Sequence, residues 1–227
     1  MTPPLERDSY HHGDLRHALV EAAVKLIAER GAEGFSLREA GRLVGVSPTA
    51  AYRHFADKSA LLGAVASDGF SRLAAAMEKG MARAPGAAGG PERAVARMAA
   101  LGEAYVDFAL RHPSHFRIMF GPWLRETECV PGVGPSGKDP FQLLVETLDE
   151  AAAAGVIPAE ARAGAEVVAW STVHGFAALV VDGTLPLSAR ERAAALRRVL
   201  TGVLLALGAD ASRLPPVEAV KFATRCS

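Results

Sequence analysis

The stretch Ser36 to Lys58, SLREAGRLVGVSPTAAYRHFADK, restricts the possible folds more than any other part of the chain. Two short segments with a 3.6-residue apolar period flank Gly45-Val46-Ser47, and Pro48 opens the second. In the first, Ser36 caps, Leu37, Ala40 and Val44 face inward, and Arg38, Glu39 and Arg42 face out. In the second, serine's oxygen satisfies an otherwise orphaned backbone N–H, and proline at the first helical position has no N–H to lose. Two short helices joined by a glycine-containing turn of this length form a helix-turn-helix, which lays its second helix in the DNA major groove.

The remainder of the chain also reads as helix. Leu15, Leu19, Ala22, Ala23, Leu26 and Ile27 form a stripe from about Leu15 to Arg30, with Asp14 as candidate N-cap and Gly31 as terminator. Asp57-Lys58-Ser59 starts a fourth helix through Met77, ending before the Gly/Pro-rich stretch Pro85 to Pro91. Further helices are expected at about 92–111, after His112-Pro113-Ser114, at 141–154, 161–181 and 188–207, with an irregular stretch from Gly121 to Pro140. No alternating strand pattern or repeat appears. The expectation is an all-α protein of about nine helices: residues 1–58 as the helix-turn-helix domain, 59–210 as a larger helical domain for effector binding and dimerisation, and 211–227 as a tail.

Composition agrees and narrows the partners. Half of the 227 residues are apolar and aromatics are few, which suits helices packed through small side chains. The formal net charge is zero, so the chain is not a polycation that binds any nucleic acid or anionic surface. The opening MTPPLERDSYHH is no secretory signal, and the uncharged run between Glu166 and Asp182 is shorter than the ~20 residues needed to span a bilayer. Cys129 and Cys226 make no disulfide framework in a chain of this size, so a reducing, cytoplasmic compartment is expected.

Chemistry concentrates at the second short helix. Its N-terminal end points backbone N–H groups outward, with Thr49 and Ala50 near the tip. A threonine hydroxyl or a methyl group can contact base edges; Tyr52, Arg53 and His54, one turn later, can bond phosphate oxygens. Residues 36–58 hold four bases (Arg38, Arg42, Arg53, Lys58) and two acids (Glu39, Asp57), a net +2, whereas residues 1–35 hold four bases and six acids. An ordinary solvated helix face would also carry such charges, so residue type alone leaves both readings open.

FSLREAGRLVGVSPTAAYRHFADKSALL resembles the DNA-binding domain of TetR-family transcriptional regulators, with Tyr52, His54, Phe55 and Lys58 its most recognisable part; the likeness covers about residues 15–65. The resemblance implies that Ser47, Pro48, Thr49 and Ala50 lie at base edges and that Tyr52, His54 and Lys58 hold phosphates. Arg53 occupies a variable position, and Arg38 adds positive potential. In AWSTVHGF, Trp170, His174 and Gly175 resemble the Trp-x-x-x-His-Gly pattern of one subgroup's effector domain, and ALRHPSHFRIMF resembles its mid-domain helix. A sequence-specific regulator follows, a repressor released from a palindromic double-stranded operator by a small, largely apolar effector, with no enzymatic activity, cofactor, metal or membrane partner.

Two half-sites call for a twofold dimer. One stripe, Ala165, Val168, Ala169, Thr172 and Phe176, and another, Leu196, Val199, Leu200, Val203 and Leu207, are expected to form a four-helix homodimer bundle; burial of both inside one protomer is the alternative. Phe108, Phe116, Met119, Phe120, Trp123, Leu148, Trp170 and His174 are candidate walls of an effector site, and aromatic clusters at this spacing also serve as plain core. A helical ligand-binding or small enzyme domain, or a DNA-binding protein with no effector, are the competing classes. Three further motifs lack context: GVGPSG (Gly132–Gly137) follows no strand; His11, His12 and His17 lack metal spacing; and Ser171, His174 and Asp182 come without a nucleophile elbow.

Overall fold

The computed structural model describes residues 12–123 and 130–217, with backbone alone at residues 12–14. His11, Cys129 and Cys226 lie outside the described residues, as do the side chains of His12 and Asp14. Nine α-helices and no strand occur among the described residues: α1 His12–Arg30, α2 Leu37–Val44, α3 Pro48–His54, α4 Lys58–Met81, α5 Pro91–Arg111, α6 Pro113–Met119, α7 Pro140–Ala153, α8 Ala165–Val181 and α9 Ala189–Ala206.

Capping chemistry sets several of these boundaries. Ser36, Asp139 and Ser188 each accept from the backbone N–H three residues on, and the Glu39, Gln142 and Glu191 side chains return a bond to the cap's own N–H. Gly45 ends α2 at φ 80°, a left-handed conformation that glycine adopts without a Cβ clash. Two expectations shift. Helix α1 already begins at His12, so Asp14 lies inside it and is not its cap. Helix α8 begins at Ala165, four residues later than expected, because Gly164 turns left-handed at φ 77° and residues 159–161 form a separate short turn.

The chain divides into two compact units. The first comprises the described residues up to Gly69 together with those between Ser114 and Val130; Leu19, Ala23, Leu37, Ala40, Ala51, Phe55, Leu61 and Val65 are among its buried side chains. There α1 packs on α2 and α2 on α3, and a Cβ added at Gly41 would come 3.2 Å from the Ala51 Cβ. The absent side chain lets α2 and α3 cross closely. In the second unit α5 is central, touching α7, α8 and α9, with Tyr105, Phe108, Leu148, Ile157 and Phe176 among its buried side chains.

Candidate nucleic-acid interface and the core of the second unit

The three residues Gly45–Ser47 turn the chain from α2 into α3. Ser47 Oγ accepts from the Ala50 N–H at 3.2 Å, so one donor at the tip of α3 is satisfied internally while Ser47, Pro48 and Thr49 stay exposed and Ala50 is half-buried. Tyr52 and Arg53 are exposed one turn on, whereas His54 is half-buried. Ala51 and Phe55 face the core, which fixes the rotation of this seven-residue helix.

Neighbouring charges are arranged unequally. Both acids of the segment are engaged at helix starts: the Ser36 hydroxyl and the Arg30 guanidinium hold the Glu39 carboxyl below its ordinary range, and Asp57 accepts from the Ala60 N–H at 2.7 Å. Arg38 and Arg42 are exposed on α2. Lys58 is half-buried; its Nζ donates to the Glu33 carbonyl at 3.0 Å and sits 4.9 Å from the Phe35 ring centroid, a cation–π contact that fixes its position. Arg16 lies likewise over Phe55, at 4.7 Å.

In the second unit, polar chemistry gathers on one tyrosine. Tyr105 Oη lies 2.8 Å from His174 Nδ1 across the α5–α8 contact, and the Trp170 indole also hydrogen-bonds Tyr105. An indole N–H only donates, so it donates to the phenol oxygen. The phenol O–H can donate to His174 when Nδ1 is the unprotonated ring nitrogen. Burial pushes the Tyr105 hydroxyl up, keeping it protonated, and pushes His174 down, favouring neutral imidazole. Phe141 meets Trp170 edge-on with ring centroids 6.0 Å apart.

Residues 19–65 match the family described as "Bacterial regulatory proteins, tetR family", and residues 98–203 match "Tetracyclin repressor-like, C-terminal domain". A solved structure of a protein with unknown function from Rhodococcus sp. RHA1 is 36% identical, covering 86% of this chain and 98% of its own, with a TM-score of 0.67. The chain belongs to the TetR family of transcriptional regulators. Two other solved structures share its fold: the TetR-family regulator PfmR from Thermus thermophilus (21% identity, 82% and 97% coverage, TM-score 0.60) and a TetR variant from Acinetobacter baumannii AYE in complex with minocycline (17%, 89% and 96%, 0.55). No curated protein matches.

Within this TetR-family chain, the residues expected to line an effector site divide between the units. Phe116, Met119, Phe120 and Trp123 belong to the first, with the Phe116 and Phe120 rings 5.2 Å apart. Phe108, Leu148, Trp170 and His174 belong to the second; Phe108 and Leu148 are fully buried, His174 is half-buried and Trp170 is exposed. Sequence reasoning missed Tyr105 and Phe141. Tyr105 precedes Phe108 by three positions on the inward face of α5, a spacing that could have drawn attention to it.

The residues of the two expected dimer stripes differ in burial. Ala165, Ala169, Phe176, Val203 and Leu207 are buried inside their own protomer, and a Cβ on Gly102 would clash with Leu200 Cδ2, so Leu200 seats on α5. Leu196 and Val199 are half-buried. Of the ten, Val168 and Thr172 are exposed, alongside Val167 (70% exposed), Leu179 (47%) and Leu205 (44%). Thr172 Oγ1 donates to its own Val168 carbonyl at 2.7 Å and Ser171 Oγ to Val167 at 2.6 Å, leaving the open face of α8 with little polar demand.

Those bonds also tie the Ser171 hydroxyl to its helix backbone rather than to His174. The GVGPSG loop closes on a carboxylate: Ser136 Oγ and N–H both donate to Glu78 Oε1, at 2.8 and 3.2 Å. An anion held there by the chain itself is opposite to what a phosphate-binding loop requires. His17 is exposed and lies 4.0 Å from Glu21. No described helix is long and apolar enough to cross a membrane.

Proposed function

We propose that this regulator is a homodimeric repressor that α3 docks in the major groove of a palindromic operator and that a small, largely apolar effector releases. The observation that carries the reading is the solvent-open tip of α3, where Ser47, Pro48 and Thr49 are exposed above a core-facing Ala51 and Phe55. Thr49 and Ala50 read base edges, with Ser47 and Pro48 setting the tip; Tyr52, Arg53, His54 and Lys58 bond phosphates, and Arg38 adds field. Lys58 Nζ has three donors and gives one to Glu33, which leaves it able to serve a phosphate from a fixed position.

Residues 1–58 carry the DNA contacts and 59–210 the effector and dimer functions, with 211–227 a tail; acting on operator DNA, the protein works in the cytoplasm. A second copy docks on the open face of α8, with Val168, Thr172, Gly175 and Leu179, and on Gly202 and Leu205 of α9. This face is uncharged from Val167 to Val181, so it is compatible with itself across a twofold axis. Two helix-interior glycines support the same surface: a Cβ on Gly175 or Gly202 would meet nothing within 4 Å, so neither glycine has a reason inside its own chain. Phe108, Leu148, Trp170 and His174 contribute to effector recognition in the second unit. Release requires that the effector bind the DNA-incompetent state more tightly; equal affinity would switch nothing.

Footprinting the protein on DNA upstream of its own coding region tests this reading. A symmetric protected site whose affinity falls by roughly 0.9 log units per phosphate contact for each log unit of salt supports it. Protection that is absent, or salt-dependent without any sequence preference, refutes it.

A further inference from the structure

Helix α8 presents a problem of orientation. A helix with a charged stripe is turned by the cost of burying that stripe, but α8 carries no formal charge between Glu166 and Asp182 and is apolar on nearly every side. Packing alone therefore discriminates weakly between rotations. A turn of one residue, about 100°, would carry His174 outward or Gly175 inward.

Directional bonds supply what the pattern lacks. Trp170 and His174, one helical turn apart, both hydrogen-bond Tyr105, His174 Nδ1 lying 2.8 Å from its Oη. Tyr105 is 5% exposed and α5 is the central helix of its unit, so the anchor is itself firmly held. The stripe Val168, Thr172, Gly175 and Leu179, spaced four, three and four, lies about 100–160° around the helix from His174. Glycine is unfavourable inside a helix. Gly69 and Gly102 are explained within the chain, since a Cβ would lie 2.5 Å from Met119 Sδ in one case and clash with Leu200 Cδ2 in the other. Gly175 meets nothing.

We propose that Tyr105 is a positioning residue for dimerisation: held by Trp170 and His174, it sets the rotation of α8 and so presents Gly175 for close approach by a second copy. The Trp-x-x-x-His-Gly spacing thereby joins two tasks in one helix, an inward grip from Trp170 and His174 and an outward contact at Gly175. This inference rests on the dimer surface proposed above.

Sedimentation equilibrium on the full chain tests it, with circular dichroism to confirm folding. Gly175→Leu should abolish the dimer. Tyr105→Phe and His174→Leu each remove the Tyr105–His174 bond and should raise the dimer Kd about tenfold or more. His174→Asn places an acceptor oxygen near the former Nδ1 and should return the Kd to within about threefold of wild type, a rescue that a purely space-filling role would not give. A Tyr105→Phe chain that dimerises like wild type while Gly175→Leu does not would overturn the positioning role and leave the interface standing. A wild type that stays monomeric, or a Gly175→Leu dimer of normal affinity, would remove the interface and this inference with it. If Tyr105→Phe unfolds, the His174→Leu and His174→Asn pair decides by the same criterion.

Discussion

Helices α3 and α8 are placed by different kinds of information. The seven residues of α3 follow a Gly turn, an N-cap serine and an N1 proline, each acting within four residues of its neighbours, and only Ala51 and the following Phe55 point into the core. The 17 residues of α8 are apolar almost throughout, begin after a left-handed glycine with no side-chain cap, and take their rotation from partners 69 positions away in sequence at Tyr105–His174. A short polar helix can thus be oriented by local rules, whereas a long uncharged one needs tertiary contacts to say which face is out.

That contrast predicts unequal responses to substitution. The largest is expected for Gly41→Leu, which forces a side chain into the 3.2 Å approach to Ala51. It should cost about 1–3 kcal/mol or more in urea unfolding and abolish specific DNA binding, because the angle between α2 and α3 cannot survive. Next comes Ser47→Ala, which removes the local cap of α3 and should cost about 1 kcal/mol with a parallel loss of operator affinity. If Ser47→Ala leaves both unchanged, local capping does not hold the reading helix.

A smaller effect tests the α8 side of the comparison. His174 has a folded pKa depressed by burial, so between that value and the unfolded value of about 6.5 the unfolded chain binds more protons. Stability should therefore be complete above that unfolded value and fall as pH drops through the window. Protonation also converts Nδ1 into a donor, which cannot accept from Tyr105. Thermal melts between neutral and mildly acidic pH should show this loss in wild type and not in His174→Asn. The smallest effect is expected for Arg30→Ala, which breaks a solvent-exposed pair with Glu39 and should change stability by no more than about 0.5 kcal/mol.

The same division explains what was legible in the sequence. The helices near their expected places include those that begin at Ser36, Ser47, Asp139 and Ser188, where cap chemistry is written into adjacent residues. Helix α8 starts late because Gly164 turns left-handed, and ahead of it Arg162 bridges Asp149 and Glu166, each at 2.7 Å, a pairing with α7 that has no local sign. The outward face of α8 was not legible for the same reason: with nearly every position apolar, periodicity offered several faces and only the packing of Ala169, Val173, Phe176 and Ala177 shows which is inside. Closure of the GVGPSG loop on Glu78 is likewise non-local, 58 positions apart in sequence. Tyr105, which ties α5 to α8, went unnoticed because its partners lie on another helix.

The central claim is that the exposed tip of α3 reads base sequence while the residues behind it hold the backbone. Selection of binding sites from a random duplex library, run in parallel on wild type, Thr49→Val and Tyr52→Phe, addresses it directly. The account predicts a twofold-symmetric motif for wild type, an altered base preference for Thr49→Val, and the same motif at uniformly weaker affinity for Tyr52→Phe. An unchanged motif in Thr49→Val together with unchanged affinity in Tyr52→Phe, or no enriched motif in the wild type, would contradict it.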